Sequence, residues 1–228
     1  MSWFSQFLVS SIGRKFVMAF SGLFLITFLV VHCYVNAMIF YNDNGVEFNK
    51  AAHFMGTNPI IRFAELGLFA GLLLHIIQGL LLWNENKKRR PINYEVKAGS
   101  INSTWYSRSM GLLGTLILLF LVLHLAHFWV PSRFTGLEEV MIDGKPHHNL
   151  YIEMQNVFKE LWVVVVYVLG VLSLAYHLLH GFQSSFQTLG LRTGKYKGIF
   201  ISIGVFFAIF IPLVFASMPI VMYLGWIQ

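Results

Sequence analysis

The chain has little charge. Only 11% of its 228 residues are Asp, Glu, Lys or Arg, while 57% are hydrophobic. A water-soluble domain of this length needs far more charge to cover its surface, so that class is excluded. Cysteine is nearly absent, with Cys33 standing alone. That excludes an internal disulfide, a C-x-x-C-H haem attachment and a cysteine-held iron–sulfur cluster. A redox centre in this chain would be held non-covalently, with histidine as the abundant ligand. Carboxylates are almost missing from the apolar runs, which weakens any reading as a proton-relay transporter.

What is present is apolar sequence in runs longer than the roughly 18 residues that mark a membrane span. Five spans are expected: Lys15–Phe40, Pro59–Trp83, Met110–Val130, Asn156–Ser184 and Gly198–Gly225. The expected fold is all-α, a polytopic membrane protein forming one domain over residues 1–228. The first run, about 25 residues long, is too long for a signal-peptide core and is read as a retained span. The net charge of +6 does not form a nucleic-acid face, because the basic residues sit in short connections. Arg14, Lys15, Lys87, Lys88, Arg89, Arg90, Lys97, Arg108, Arg192, Lys195 and Lys197 all fall on one side, which is 11 of the 16 Lys and Arg residues. Asp43, Glu47, Glu138, Glu139, Asp143 and Glu153 fall on the other. The positive-inside rule then expects a cytoplasmic N-terminus and an outer C-terminus. Trp3, Trp83, Trp105, Trp129 and Trp226 lie near span ends, as interfacial aromatics should. The fifth span carries Pro212 and Pro219 but no histidine or charge, and is read as a packing helix.

Six of the nine histidines lie inside spans: His32, His75, His124, His127, His177 and His180. An ionisable side chain is expensive in hydrocarbon and marks function by default. One such histidine alone more often only fixes helix packing by bonding a backbone carbonyl. Four helices each offering one are harder to explain that way. Rise along each helix places His32 and His124 about 9–12 Å inside the outer boundary. The same arithmetic places His75 and His177 about 10–12 Å inside the inner one. The four would form two levels, each bridging two helices, as two stacked bis-histidine haems require. Gly71 and Gly79 flank His75, Gly170 and Gly181 flank His177, Gly111 and Gly114 precede His124, and Gly22 precedes His32. Small residues admit a flat macrocycle, or equally a neighbouring helix. His127 and His180 follow candidate ligands by three residues but lie closer to the span ends. They suit a haem propionate, a quinone oxygen or water. His53, His147 and His148 are expected at the solvated surface.

The motifs Gly13-Arg14-Lys15, Val31-His32-Cys-Tyr-Val-Asn36, Leu74-His75-Ile-Ile-Gln-Gly79, Leu123-His124-Leu125 and Tyr176-His177-Leu-Leu-His-Gly181-Phe182 occur in this order over nearly the whole chain. In that order they resemble the single-subunit, di-haem cytochrome b anchors of succinate dehydrogenases and fumarate reductases in the complex II superfamily. The resemblance implies a haem-binding bundle of the first four helices in a bacterial cytoplasmic membrane. Two non-covalent b haems are implied, the distal one ligated by His32 and His124 and the proximal one by His75 and His177. It also implies a flavoprotein subunit and an iron–sulfur subunit on the cytoplasmic side. Electrons would pass between the iron–sulfur subunit and a quinone, by family habit menaquinone. The dicarboxylate chemistry belongs to the flavoprotein, so this chain has no catalytic residue for that step. Ala175 stands where some di-haem fumarate reductases carry a membrane glutamate, and His180 where some relatives carry asparagine.

Weaker candidates surround this core. Arg14, Lys15 and Arg108 are candidate propionate partners at the inner face, and Arg62 and Arg133 at the outer one. Topology-setting surface charge explains each equally well. Glu65, His127 and Asn36 are candidates for handling protons at a quinone near the outer face, although Glu65 could instead pair with Arg62. The competing functions are a cytochrome b anchor for another dehydrogenase, a proton-relay transporter and a haem-free docking scaffold.

Overall fold

The structure, a computed structural model, describes residues Gln6, 10–88, 104–192 and 194–227. Trp3, Arg89, Arg90 and Lys97 lie outside them. In chain order the helices are α1 (Ser11–Ala37), α2 (Val46–Thr57), α3 (Pro59–Lys88), α4 (Trp105–Arg108), α5 (Met110–His124), α6 (Leu150–Val157), α7 (Leu161–Thr188) and α8 (Lys197–Tyr223). α1 runs on through a tighter turn to Tyr41, and α5 through wider π turns to Thr135. A hairpin of β1 (Glu139–Ile142) and β2 (Lys145–His148) precedes α6. α1, α3, α5, α7 and α8 are long and apolar enough to cross a membrane. In hydrocarbon such runs can satisfy their backbone only by internal hydrogen bonding. The chain is thus an all-α multi-pass membrane protein with a small hairpin added.

Local chemistry sets the helix ends. Ser10 Oγ accepts from the Gly13 amide at 3.0 Å and starts α1. Asn58 Oδ1 accepts from Ile60 at 3.0 Å, with Pro59 at the first helical position of α3. The chain leaves α1 through Asn42, Asn44 and Gly45, all at positive φ. At Gly45 a Cβ would fall 2.2 Å from the Tyr151 ring, so glycine is required there for space as well as conformation. Val130 separates the two π turns after α5, and Pro131, which opens the second, has no N–H to offer the His127 carbonyl.

α1, α3, α5 and α7 form a ring in chain order, with α8 packed outside α7 and α1. α7 is the central helix: 39% of its apolar window is buried, against 6% for α3 and for α5. The wall between α3 and α5 is thin. One end of the ring carries Arg14, Lys15, Lys87, Lys88, Arg108, Arg192, Lys195 and Lys197, and we refer to it as the basic end.

The opposite end carries a polar cap made from α2, the hairpin and α6. Asn49, fully buried, donates to Asn149 Oδ1 at 3.0 Å and accepts from the Tyr151 amide at 3.1 Å, joining α2 to α6. Ile39, Phe48, Tyr151, Met154, Phe158, Val163, Val164, Tyr167 and Met218 make one core that seats the cap on the bundle. The fourth span therefore starts at Leu161 and not at Asn156. Val157 ends α6, Phe158 belongs to this core, and Glu160 is extended.

The cap should respond to acid. His53 of α2 lies 4.3 Å, centre to centre, from His147 of β2, which turns Nδ1–H to the Lys145 carbonyl at 3.0 Å. Burial lowers the His53 pKa, and His147, His148 and Lys145 lower it further. The neighbouring Lys50–Asp143 pair, at 2.9 Å, holds Asp143 below its ordinary value, so that pair stays ionised in mild acid. A histidine with a folded pKa below its unfolded value of 6.5 contributes stability that is complete above pH 6.5. That contribution is lost as pH falls through the folded value. His53 is largely solvent-screened, so the effect is small. Amides of α2 and the hairpin are expected to exchange faster at about pH 5 than at about pH 7.5, once intrinsic rates are corrected. Equal protection at both would contradict this.

Candidate functional site

The fold brings the four span histidines together as two pairs. His32 and His124 lie 5.7 Å apart, centre to centre, across the α1–α5 diagonal of the ring. His75 and His177 lie 6.2 Å apart across the α3–α7 diagonal. Three helices report the vertical separation of the pairs. Ser21 and Gly22 of α1 reach His75, whereas His32 on the same helix reaches His124. Gly114 of α5 faces His177, and His124 lies further along that helix. α7 reaches His124 with Tyr167 and carries His177. Each helix interposes about ten residues, or about 15 Å of rise. The pair His75–His177 is nearer the basic end.

Aromatic rings enclose the first pair. Phe28 and Phe215 pack on His32, and Phe120, Phe128 and Tyr167 pack on His124. Phe215 comes from α8, so the fifth span does more than pack from outside. Around the second pair the neighbours are small. A Cβ on Gly22 would lie 3.5 Å from His75 Cε1, and one on Gly114 would lie 4.0 Å from His177 Cε1. Of the other flanking glycines, Gly71 seats Phe24, Gly79 meets Met18, Gly111 seats Trp83 and Gly170 seats Phe120, whereas a Cβ on Gly181 would meet nothing within 4 Å.

Does this donor set fit haem iron? An imidazole–metal bond of about 2.0 Å on each side sets two axial ring centres roughly 6 Å apart, close to both observed separations. His124 Nδ1 and His177 Nδ1 are buried with no hydrogen-bond partner among the described residues. Such nitrogens are costly in an apolar interior unless something engages the ring. Among the described residues no three His, Cys, Asp or Glu side chains converge on a metal position, so iron here would be held by ring pairs. His32, His75, His124 and His177 fit that role.

The remaining candidates separate by geometry. His127 Nδ1 bonds Tyr167 Oη at 2.9 Å with the two rings stacked, so it is occupied beside the first pair. The π turn after His124 gives His127 and Trp129 their directions. π turns commonly mark functional positions in helices. Trp129 donates its indole N–H to Glu65 at 2.7 Å, Arg133 donates to Glu65 at 3.3 Å, and Arg62 also pairs with it. Glu65, 16% exposed, thus joins α3 to the end of α5, and Arg62 and Arg133 are its partners. Asn36 donates to the His32 carbonyl at 2.8 Å, with the same amide nitrogen 3.3 Å from His32 Nδ1.

At the basic end Arg14 pairs with Glu85 across α1 and α3, while Lys15 and Arg108 are exposed. His180 lines a polar cavity of about 230 Å³ with Tyr106, Ser107, Gln183, Gln187 and Arg192. Arg192 donates to Gln187 at 3.1 Å, and its Nε is buried with no partner among the described residues.

Sequence reasoning passed over Ser21, Tyr167, Trp129 and Arg192 as site residues. Ser21 and Tyr167 each stand among apolar neighbours, and a hydroxyl at such a place inside a span was the available signal for both. No family model, curated protein or solved structure matches the chain.

Proposed function

We propose that this chain is the membrane anchor and electron-transfer subunit of a succinate:quinone oxidoreductase, holding two b haems. The observation that carries the reading is the pair of histidine pairs, each at axial-ligand spacing and separated by about 15 Å of helix rise. The hydrocarbon layer is about 30 Å thick, too far for one efficient electron step, and redox centres held at the two histidine levels would divide it. When bound, haem iron supplies one-electron transfer.

The chain's own residues do the rest. His32 and His124 hold one iron position in an aromatic shell that excludes water, and His75 and His177 hold the other beside small residues. His180 and Arg192 line the cavity at the basic end with ring and guanidinium nitrogens, which suits propionates. At the far end Glu65, flanked by Trp129, Arg62 and Arg133, can keep a negative charge near a quinone while His127 and Tyr167 hold a proton between them. The basic end faces the cytoplasm in this reading, receiving an iron–sulfur subunit and with it the flavoprotein that interconverts succinate and fumarate. The quinone, by family resemblance menaquinone, reacts on or beside this subunit.

The direct test is haem quantification by pyridine haemochromogen on the purified full-length chain. About two haems b per chain are expected, and a colourless protein would defeat the proposal. Co-purification of flavin and iron–sulfur subunits separates this anchor from that of another dehydrogenase.

A further inference from the structure

The four paired histidines differ in what lies beside Nδ1. His124 and His177 leave Nδ1 buried without a partner among the described residues. His32 has Nδ1 beside the Asn36 amide nitrogen, which is a donor. His75 alone of the four has a hydroxyl from another helix: Ser21 Oγ lies 3.1 Å from its Nδ1.

The direction of that bond follows from counting protons. A serine hydroxyl has one proton to donate. Ser21 Oγ gives it to the Met18 carbonyl at 3.2 Å in its own helix. With the hydroxyl proton on that carbonyl, its lone pair is open to His75, and a metal-binding imidazole would supply the proton. Nδ1 then carries hydrogen, and Nε2 is left with the lone pair a metal needs. Packing supports the contact. Ser21 is 7% exposed, and the adjacent Gly22 lets α1 approach so closely that a Cβ there would sit 3.5 Å from the His75 ring.

We infer that Ser21 is a positioning residue for His75, fixing its tautomer and ring orientation by accepting the Nδ1–H bond from across the helix interface. This inference rests on the haem-anchor reading and assigns an asymmetry within it. One of the two haem positions would have a ligand met by a hydroxyl from another helix, whereas at the other His32 meets only the Asn36 amide of its own helix within an aromatic shell. Outer-shell bonds of this kind raise ligand basicity and typically change metal affinity 10–100-fold when removed.

The test is redox titration and haem retention in the purified full chain carrying Ser21→Ala. Losing the acceptor weakens the imidazole as a donor, and the ferric state suffers most. One haem is expected to titrate at a higher potential and to dissociate about 10–100-fold more readily, with the other unchanged. Ser21→Thr keeps the hydroxyl and is expected to restore both properties. Thr27→Ala, which removes an exposed hydroxyl bonded only within α1 to Leu23, is the control and is expected to change neither. Two haems with wild-type potentials and retention in Ser21→Ala would overturn the inference and leave the anchor reading intact. Failure of Ser21→Thr to restore them would overturn it too, since shape and not the hydroxyl would then matter. A wild-type chain without haem removes both.

Discussion

Replacing His32, His75, His124 or His177 singly by leucine is expected to lower haem content from about two per chain to about one. The reason is geometric. Each pair spans a different diagonal of the ring, with ring centres 5.7 Å and 6.2 Å apart, so each variant breaks one iron position and spares the other. The variants should fall into two spectral classes, His32 with His124 and His75 with His177. Double variants sharpen the result. Two changes within a pair should cost no more haem than one, because members of one unit are not additive. One change from each pair should leave none. His127→Leu and His180→Leu are expected to keep both haems, since His127 is engaged with Tyr167 and His180 lines the cavity at the basic end. Unaltered haem in all four single variants would refute the ligand assignment.

Glu65 carries the second large expectation. Its carboxylate accepts from Trp129 and Arg133 at the end of the third span and pairs with Arg62 on its own helix. Glu65→Ala leaves an indole N–H and a half-buried guanidinium without their acceptor. Each group stranded in this way typically costs about 1–3 kcal/mol. Arg62, at 44% exposure, adds little because water replaces its partner. The expected result is a clear fall in thermal stability with haem content near normal, since no ligand is touched. Glu65→Gln separates structure from proton handling. The amide oxygen can take over one of the two carboxylate positions, that of Trp129 or that of Arg133, so stability should recover only in part. If Glu65 takes part in quinone chemistry, turnover should stay depressed by about 10²–10⁴-fold in the glutamine variant. Normal quinone turnover in Glu65→Gln would confine the residue to joining the two spans.

The spans were legible because hydrocarbon imposes one rule, and runs such as Leu23–Val31 or Val163–Val168 obey it without ambiguity. The pairing of histidines was legible for the same reason, because rise per residue converts position into depth. The boundary of the fourth span was not. Val157 and Phe158 extend the apolar run, but they pack into the polar cap, and hydropathy cannot tell a cap core from lipid. The cap hairpin left a trace, Asp143-Gly144, both at positive φ as a two-residue hairpin turn demands. The flanking strands, Glu-Val-Met-Ile and Lys-Pro-His-His, hardly alternate and gave no support. Partners were the least legible part. Trp129 reads as an interfacial aromatic, yet its indole serves Glu65, 64 residues away in sequence. Arg62 and Arg133 read as cations awaiting a propionate, yet the same carboxylate takes both. Those matches depend on which helices are neighbours, and composition along one helix does not encode that.

The thin wall between α3 and α5 has its own consequence. It is fastened at one end by Trp83 against Gly111 and at the other by Glu65 with Trp129 and Arg133. Between those clasps the two helices spend most of their surface elsewhere. In a bilayer, acyl chains would lie against this sparsely joined face. In the proposed quinone-reactive reading, this face is where an isoprenoid tail would approach from the lipid.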